Sequence, residues 1–232
     1  MTIIPEKKNF EQDIIPAPDG KEVKITFLQH ASLLLEYNGL HIYSDPVSNF
    51  DDCNIDYTKL PQADLILVSH DHYDHLDLAA IDDILSPDTK IVCNSTSAEK
   101  IENATVMKNG NTLKILSNID IEAVAAYNIT EGHLQFHPRH RDNGYILTLG
   151  GLRIYIAGDT EDTPDAYSIK NIDVAFLPVN QPYTMTLEQA SKLARGIAPA
   201  ILYPYHYTDT DIAQLPKLLS NTNIDVRLRQ MP

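Results

Sequence analysis

Ten residues, "VSHDHYDHLD" (68–77), hold three histidines and three aspartates directly after the apolar run "ADLILV". Leu65–Val68 are consecutive apolar residues without alternation, the pattern of a strand buried on both faces. The cluster therefore falls on the loop at a strand's C-terminal end, where α/β proteins commonly place functional groups. In an extended stretch His70 and His72 point the same way, which suits two ligands of one ion. As the chain turns toward a helix near Leu76, Asp74 and His75 swing to another side. They can then hold a second ion, as in two-metal sites roughly 3.5–4 Å across. Asp71 and Tyr73 alternate out of the row and are not expected as ligands. Imidazole and carboxylate donors suit zinc, and also manganese or iron. The competing reading is a solvated turn, since a lone histidine is more often structural than a ligand. Three histidines with an aspartate at this spacing, after a buried strand, favour the metal.

The elements that would position this loop are short strands alternating with helices. "VKITFL" and "SLLLEYNGLHIYSDP" read as strands with a hairpin at Asn38-Gly39, a pair that tolerates positive φ. After the metal motif come helix "LDLAAIDDIL", strand "KIVCNS" and a short helix "TSAEKIEN". "TLKIL", "IDIEAVAAYN", "NGYILTLGGLRIYIAGDT" and "IDVAFLPVN" are further strands. "TLEQASKLARGIAP" is a helix with a capping box at Thr186 and Gln189 and stop signals at Gly196 and Pro199. Strand "AILYPYH", helix "DIAQLPKLLS" and strand "IDVRLRQ" finish the chain. Layered α/β sheets with helices outside are expected, in a single domain over residues 1–232. "GLHIYSD" (39–45) and "GLRIYIAGD" (151–159) share Gly-Leu-x-Ile-Tyr and run into an aspartate. That echo suggests two similar halves, each delivering an acidic residue from a strand end.

Composition narrows the partners. A net charge of −14 with scattered lysines and arginines argues against nucleic acid, which calls for a basic stripe. No apolar run approaches the roughly 20 residues that span a bilayer. The start, "MTIIPEKKNFEQD", has no basic end followed by a long apolar region, so no signal peptide is read and cytoplasm is the expected compartment. Cys53 and Cys93 read as two thiols rather than a disulfide framework. A small-molecule substrate is expected, with no nucleic-acid or membrane partner; a homo-oligomer is left open.

His70-x-His72-x-Asp74-His75 resembles the H-x-H-x-D-H signature of the metallo-β-lactamase superfamily, and "SDP" (44–46), "AGDT" (157–160) and "YPYHY" (203–207) follow in that family's order. The likeness spans about Ile25 to Arg229 and is nearest to the compact hydrolases similar to L-ascorbate-6-phosphate lactonase and N-acylphosphatidylethanolamine phospholipase D. It implies a four-layer αββα sandwich with two divalent metal ions, zinc before manganese or iron. It also implies that His70 and His72 bind the first ion, Asp74 and His75 the second, that Asp159 bridges them and that His206 completes the second. The remaining ligand lies in "EGHLQFHPRHRDNGY": the family's "FHP" stretch selects His137, with His133 as the fallback and His140 as a surface or substrate-side group. Asp45 in "SDP" is expected to orient the metal loop. His30 in "LQHASLL" resembles a turn near the site and is either structural or supporting. The resemblance implies a metal-dependent hydrolase using a hydroxide shared by two ions on a small-molecule ester, lactone, amide or phosphodiester, with Asp74 also able to take the water's proton. Pocket-wall candidates are "NQPYTM" (180–185), Tyr207, Thr208 and the 129–141 loop. A non-catalytic metal- or ligand-binding protein on the same scaffold, or a nucleic-acid phosphodiesterase, are the alternatives.

Overall fold

Residues 10–116 and 119–231 are described by the computed structural model, so most of "MTIIPEKKNFEQD", on which the expectation of no signal peptide rests, lies outside the described residues. Strands β1 (Gln12–Pro16), β2 (Glu22–Gln29), β3 (Ser32–Tyr37) and β4 (Leu40–Ser44) run antiparallel in sequence order. Asn38 and Gly39, with φ of 51° and 79°, give the β3–β4 hairpin the positive-φ backbone its short turn requires. A small hairpin, β5 (Asn49–Phe50) with β6 (Cys53–Asn54), follows. Then β7 (Leu65–Val68), β8 (Lys90–Cys93) and β9 (Thr105–Val106) add in parallel to β4.

The second sheet repeats this plan. Here β10 (Thr112–Ile115), β11 (Ile119–Ala126), β12 (Asp142–Leu149) and β13 (Leu152–Ile156) are antiparallel. Next, β14 (Val174–Pro178), β15 (Ile201–Tyr205) and β16 (Asp225–Val226) continue in parallel. Among the described residues each sheet has seven strands, and the echoed Gly-Leu-x-Ile-Tyr segments form β4 and β13, the fourth strand of each. At that strand antiparallel pairing gives way to parallel pairing, and the aspartate beyond it leaves the sheet at its C-terminal edge.

Strand alternation decides which side chains meet. Phe27, Leu33 and Leu67 of the first sheet pack with Leu147, Phe176 and Tyr203 of the second in one core between the sheets. The opposite face of the first sheet, with Ile66 and Val68, covers Ile81 and Ile84 of α1 (Leu78–Ile84). The opposite face of the second, with Tyr155 and Leu177, covers Ala166 of α2 (Pro164–Ser168) and Leu193 and Ile197 of α3 (Leu187–Ile197). Burying each of these large apolar side chains contributes roughly 1.5–3 kcal/mol. The result is the expected αββα layering.

Several local expectations are corrected. "TSAEKIEN" forms only a 3-10 turn, Ser97–Glu99, with Asn94 Oδ1 accepting from Ser97 N at its start, because only Ile101 beyond it is a large apolar side chain to bury. Helix α3 carries its capping box but stops at Ala198 in the left-handed region (φ 47°). Gly196 lies inside that helix, where a Cβ would stand 2.6 Å from the Tyr167 ring. "DIAQLPKLLS" divides into a 3-10 turn, Ile212–Gln214, and α4 (Leu215–Leu218), with Pro216 at the start of the helix. Strand "IDVRLRQ" shortens to β16; Arg227 N still donates to Leu202 O at 2.9 Å, and the Arg227 and Arg229 side chains reach Asp13. Strand β1 and helix α2 were not expected.

Asp13 of β1 accepts from Arg229 Nη2 on both oxygens at 2.6 Å, from Arg227 Nη1 at 3.3 Å and from the Tyr203 hydroxyl. It thus ties one sheet to the other and to the C-terminal tail. Burial opposes its ionisation, but these donors outweigh burial and hold the carboxyl below its usual range. A depressed carboxylate stabilises above the unfolded value of roughly 4 and stops doing so as pH falls through its lower folded value. Asp13→Ala is expected to cost about 1–3 kcal/mol at pH 7 by urea denaturation, with the difference from wild type shrinking in strong acid.

Candidate metal centre

Strand β7 is followed by Ser69, whose N–H and hydroxyl each donate to Asp45 at 2.7 Å. Asp45, just beyond β4 with φ 43°, fixes where the histidine loop begins. His75 N and Leu76 N then donate to His72 O (3.0 and 2.9 Å), closing a tight turn that carries Asp74 and His75 away from His70 and His72. The other side chains arrive from the second sheet. Asp159 follows β13 through Gly158 (φ 63°), where a Cβ would sit 2.7 Å from Asn143 O. His206 follows β15 with φ 49° and donates its N–H to His30 O at 3.0 Å. His137 sits in the β11–β12 connection, held by Asn128 N donating to its carbonyl at 2.9 Å.

The fold brings all seven expected side chains to one place. His70, His72 and His137 form one group; Asp74, His75 and His206, with His30, form another; His70, His75 and Asp159 form a third that joins them. Within each group the ligand atoms lie within 4.8 Å of one another. Asp159 is the hub. Its Oδ1 is 3.2 Å from His75 Nε2, and its Oδ2 is 3.2 Å from His137 Nε2 and His206 Nε2.

Outer contacts turn the rings inward. His70 Nδ1 meets Ser69 Oγ at 2.9 Å, His75 Nδ1 meets Asp45 Oδ2 at 2.9 Å, and His137 Nδ1 meets Asp142 Oδ2 at 3.1 Å. Such partners fix the tautomer of a ligand histidine. Arg141 holds Asp142 by its Nε (2.7 Å) and Nη2 (2.8 Å), and Nη2 also donates toward His72 Nε2 at 3.3 Å. The inward atoms are unsatisfied: His70 Nε2, His75 Nε2, His206 Nε2 and Asp159 Oδ1 are buried without a hydrogen-bond partner. His75 Nε2 and His206 Nε2 are near Asp159 but lack the alignment a hydrogen bond needs. Each such orphan costs about 1–3 kcal/mol, and a cation between them removes that cost. The donor set fits divalent metal.

The charges agree with one another. Burial works against ionising Asp159, but His206, His75 and His137 around it hold its carboxyl well below the usual range. Conversely, burial works against charging His75, His137 and His206, while Asp159 overcomes it in each; His206 is pushed up to about 9. Burial and neighbouring imidazoles push His70 down. Asp45→Asn, which weakens the hold on His75 and Ser69, is expected to lower metal affinity about 10- to 100-fold in a chelator competition while leaving the fold intact.

The uncertain positions separate. His133 lies with Glu161 (3.3 Å), and His140 is exposed, so neither joins the cluster. His30, left open from sequence, is buried with Nε2 at 3.3 Å from Asp74 Oδ2 and its ring 3.8 Å from that of His206. Burial and His206 push it down to about 3. Asp71 pairs with Lys100 at 2.8 Å, outside the groups. Sequence reasoning missed Ser69, Asp142 and Arg141, and also Glu161, which accepts from Ile129 N and Thr130 N at 2.7 Å and anchors the loop bearing His137. Polar residues beside the motifs were the only signal for these. A cavity of about 650 Å³ opens over the cluster, with Phe50, Tyr73, Phe136, Asn180, Tyr183 and Thr208 in its walls. Tyr207 is not among them, because its hydroxyl is bound to Arg229 O and Met231 N of the tail. Among the described residues no helix is long and apolar enough to cross a membrane.

Comparison with known proteins identifies the family. The profile of the beta-lactamase superfamily domain matches residues 24–206. The UPF0173 metal-dependent hydrolase of Thermococcus kodakarensis is 32% identical over 84% of this chain and 89% of its own. That of Flavobacterium johnsoniae is 32% identical over 80% and 84%. A crystal structure of a candidate metal-dependent hydrolase from Parabacteroides distasonis superposes with a TM-score of 0.93, at 52% identity over 97% of this chain and 100% of that one. The chain belongs to the beta-lactamase superfamily, as one of its metal-dependent hydrolases.

Proposed function

We propose that the chain hydrolyses a small-molecule ester, lactone, amide or phosphodiester with two divalent ions. His70, His72 and His137 would hold the first, Asp74, His75 and His206 the second, and Asp159 both. The observation that carries this is the meeting of two three-ligand groups at Asp159, with inward nitrogens buried and unpartnered. Imidazole and carboxylate donors suit zinc first, then manganese or iron. When bound, two such ions lower the pKa of a shared water and polarise the carbonyl or phosphoryl oxygen under attack.

The chain's own groups do the rest. Asp74 Oδ2 is at the cavity wall, 3.3 Å from His30 Nε2 and 3.5 Å from His206 Nε2, which keep it ionised although burial opposes this. It is the group placed to take the proton of the attacking water. Asp45, Ser69 and Asp142 hold the rings in orientation, and Phe50, stacked 3.7 Å from His30, shields that side from solvent. The net charge of −14 favours a free small molecule over a nucleic acid.

The test is a chelator-stripped and metal-reloaded sample on a panel of esters, lactones, amides and phosphodiesters. Turnover that returns on reloading and is lost in His70→Ala is expected. Full metal loading without turnover anywhere on the panel would favour a non-catalytic binding protein instead.

A further inference from the structure

We propose that the substrate's body, away from the bond that is cut, is uncharged and aromatic, as in an aryl ester or benzo-fused lactone. This rests on the hydrolase reading and narrows it. Aromatic surface flanks both ligand groups. Phe136 precedes His137 in the chain and meets Tyr183 edge to face, with centroids 4.9 Å apart at 72°. Phe50 lies on His30 beside the other group, stacked at 3.7 Å. Tyr73 and Tyr183 stand 79% and 44% exposed in the same walls, large rings kept in water where a flat ligand would cover them. The cavity, about 650 Å³, falls in the range of ring-bearing small molecules.

The charges point the same way. Lys100 is the one lysine or arginine among the described lining residues, and Asp71 already engages it at 2.8 Å, with its Nζ also donating to Asp71 O. Asp51 adds a further carboxylate to the wall. Nearby Arg139 and Arg141 are turned to Asp165 (3.1 Å) and Asp142 (2.7 Å). A phosphate or sulfonate carried away from the scissile bond would meet Asp51 and Asp71 and no uncommitted lining cation, at the cost of desolvating an unpaired charge. Substrates such as L-ascorbate 6-phosphate are therefore disfavoured. One polar spot remains for orientation: the Thr208 hydroxyl accepts from Asn180 Nδ2 at 2.9 Å and can turn its own proton toward a substrate oxygen.

The experiment compares phenyl acetate with 4-acetoxybenzenesulfonate, and dihydrocoumarin with γ-butyrolactone, on the zinc-loaded chain. Each kcat/KM is divided by the substrate's rate with hydroxide. Phenyl acetate is expected to exceed the sulfonate by about tenfold or more. Tyr183→Ala and Phe136→Ala are expected to reduce kcat/KM on dihydrocoumarin about tenfold more than on γ-butyrolactone, with zinc content unchanged. A sulfonate cut equally well, or equal losses on both lactones, overturns the proposal and leaves the hydrolase reading standing. No turnover on any of the four removes esters and lactones from the hydrolase reading and leaves it to amides and phosphodiesters. Calorimetric binding of phenylacetamide against its 4-sulfo derivative then decides the substrate body: tighter binding of the neutral amide supports the proposal, and equal or weaker binding overturns it.

Discussion

Asp159→Asn is expected to leave a folded chain that holds fewer than two metal ions and has lost about 100- to 1,000-fold in kcat/KM, roughly 3–4 kcal/mol of transition-state stabilisation. The substitution keeps the side chain's shape but removes its charge and replaces one acceptor oxygen with an N–H donor. Three imidazole nitrogens stand 3.2 Å from this carboxylate, so it is the group on which both ligand sets converge. Its removal should therefore disturb two ions, whereas loss of His72 or His206 should disturb one. Circular dichroism, metal content and kinetics on the same preparations separate these effects. A variant that kept two ions and near wild-type turnover would show that the two ligand groups do not share this residue.

Metal and pH are expected to act together on stability: the stripped protein loses stability as pH rises from about 6.5 to 9, and the loaded protein keeps it. In the stripped protein Asp159 raises His75 and His137, and pushes His206 up to about 9, from an unfolded value of roughly 6.5. A histidine raised in the folded state stabilises fully below its unfolded pKa, and that contribution disappears as pH rises through the folded value. His206 alone then contributes on the order of 3 kcal/mol that is lost between about pH 6.5 and 9, lowering the Tm of the stripped protein by on the order of 10 °C. Asp159 and Asp74, held low, stabilise above roughly pH 4 and add no slope in that window. Metal instead requires the imidazoles neutral, so its stabilisation grows with pH. The gap in Tm between loaded and stripped protein should widen from pH 6 to 9, as thermal melts can show. Parallel curves would mean that these histidines do not exchange protons for metal.

Much of this centre was legible in the sequence because its densest part is local. His70, His72, Asp74 and His75 lie within six positions, so strand geometry and one turn suffice to sort them. The Gly-Leu-x-Ile-Tyr echo carried more than its length suggested, since it marks the strand in each sheet where pairing changes sense. The choice between His133 and His137 could not be made from spacing. It depends on Asp142, at the start of β12, and on Glu161, in the loop beyond β13, which capture the His137 and His133 rings respectively. His30 stayed open for the same reason, as its partners Asp74 and His206 are 44 and 176 residues away. Strand β1 was missed because its five residues include Pro16 and show weak alternation; pairing with β2 and the Asp13 contacts to the tail define it. Ala198 closes α3 where a glycine was expected because Gly196 is reserved for the close approach of Tyr167.

The most direct test is the metal content of protein purified without chelator or added metal, measured by elemental mass spectrometry. About two equivalents of zinc, manganese or iron per chain are expected, falling on Asp159→Asn. A value near zero that persists after divalent metals are offered and excess is removed would contradict the two-ion centre. The buried, unpartnered nitrogens of His70, His75 and His206 would then need another cation, or a proton, to account for them.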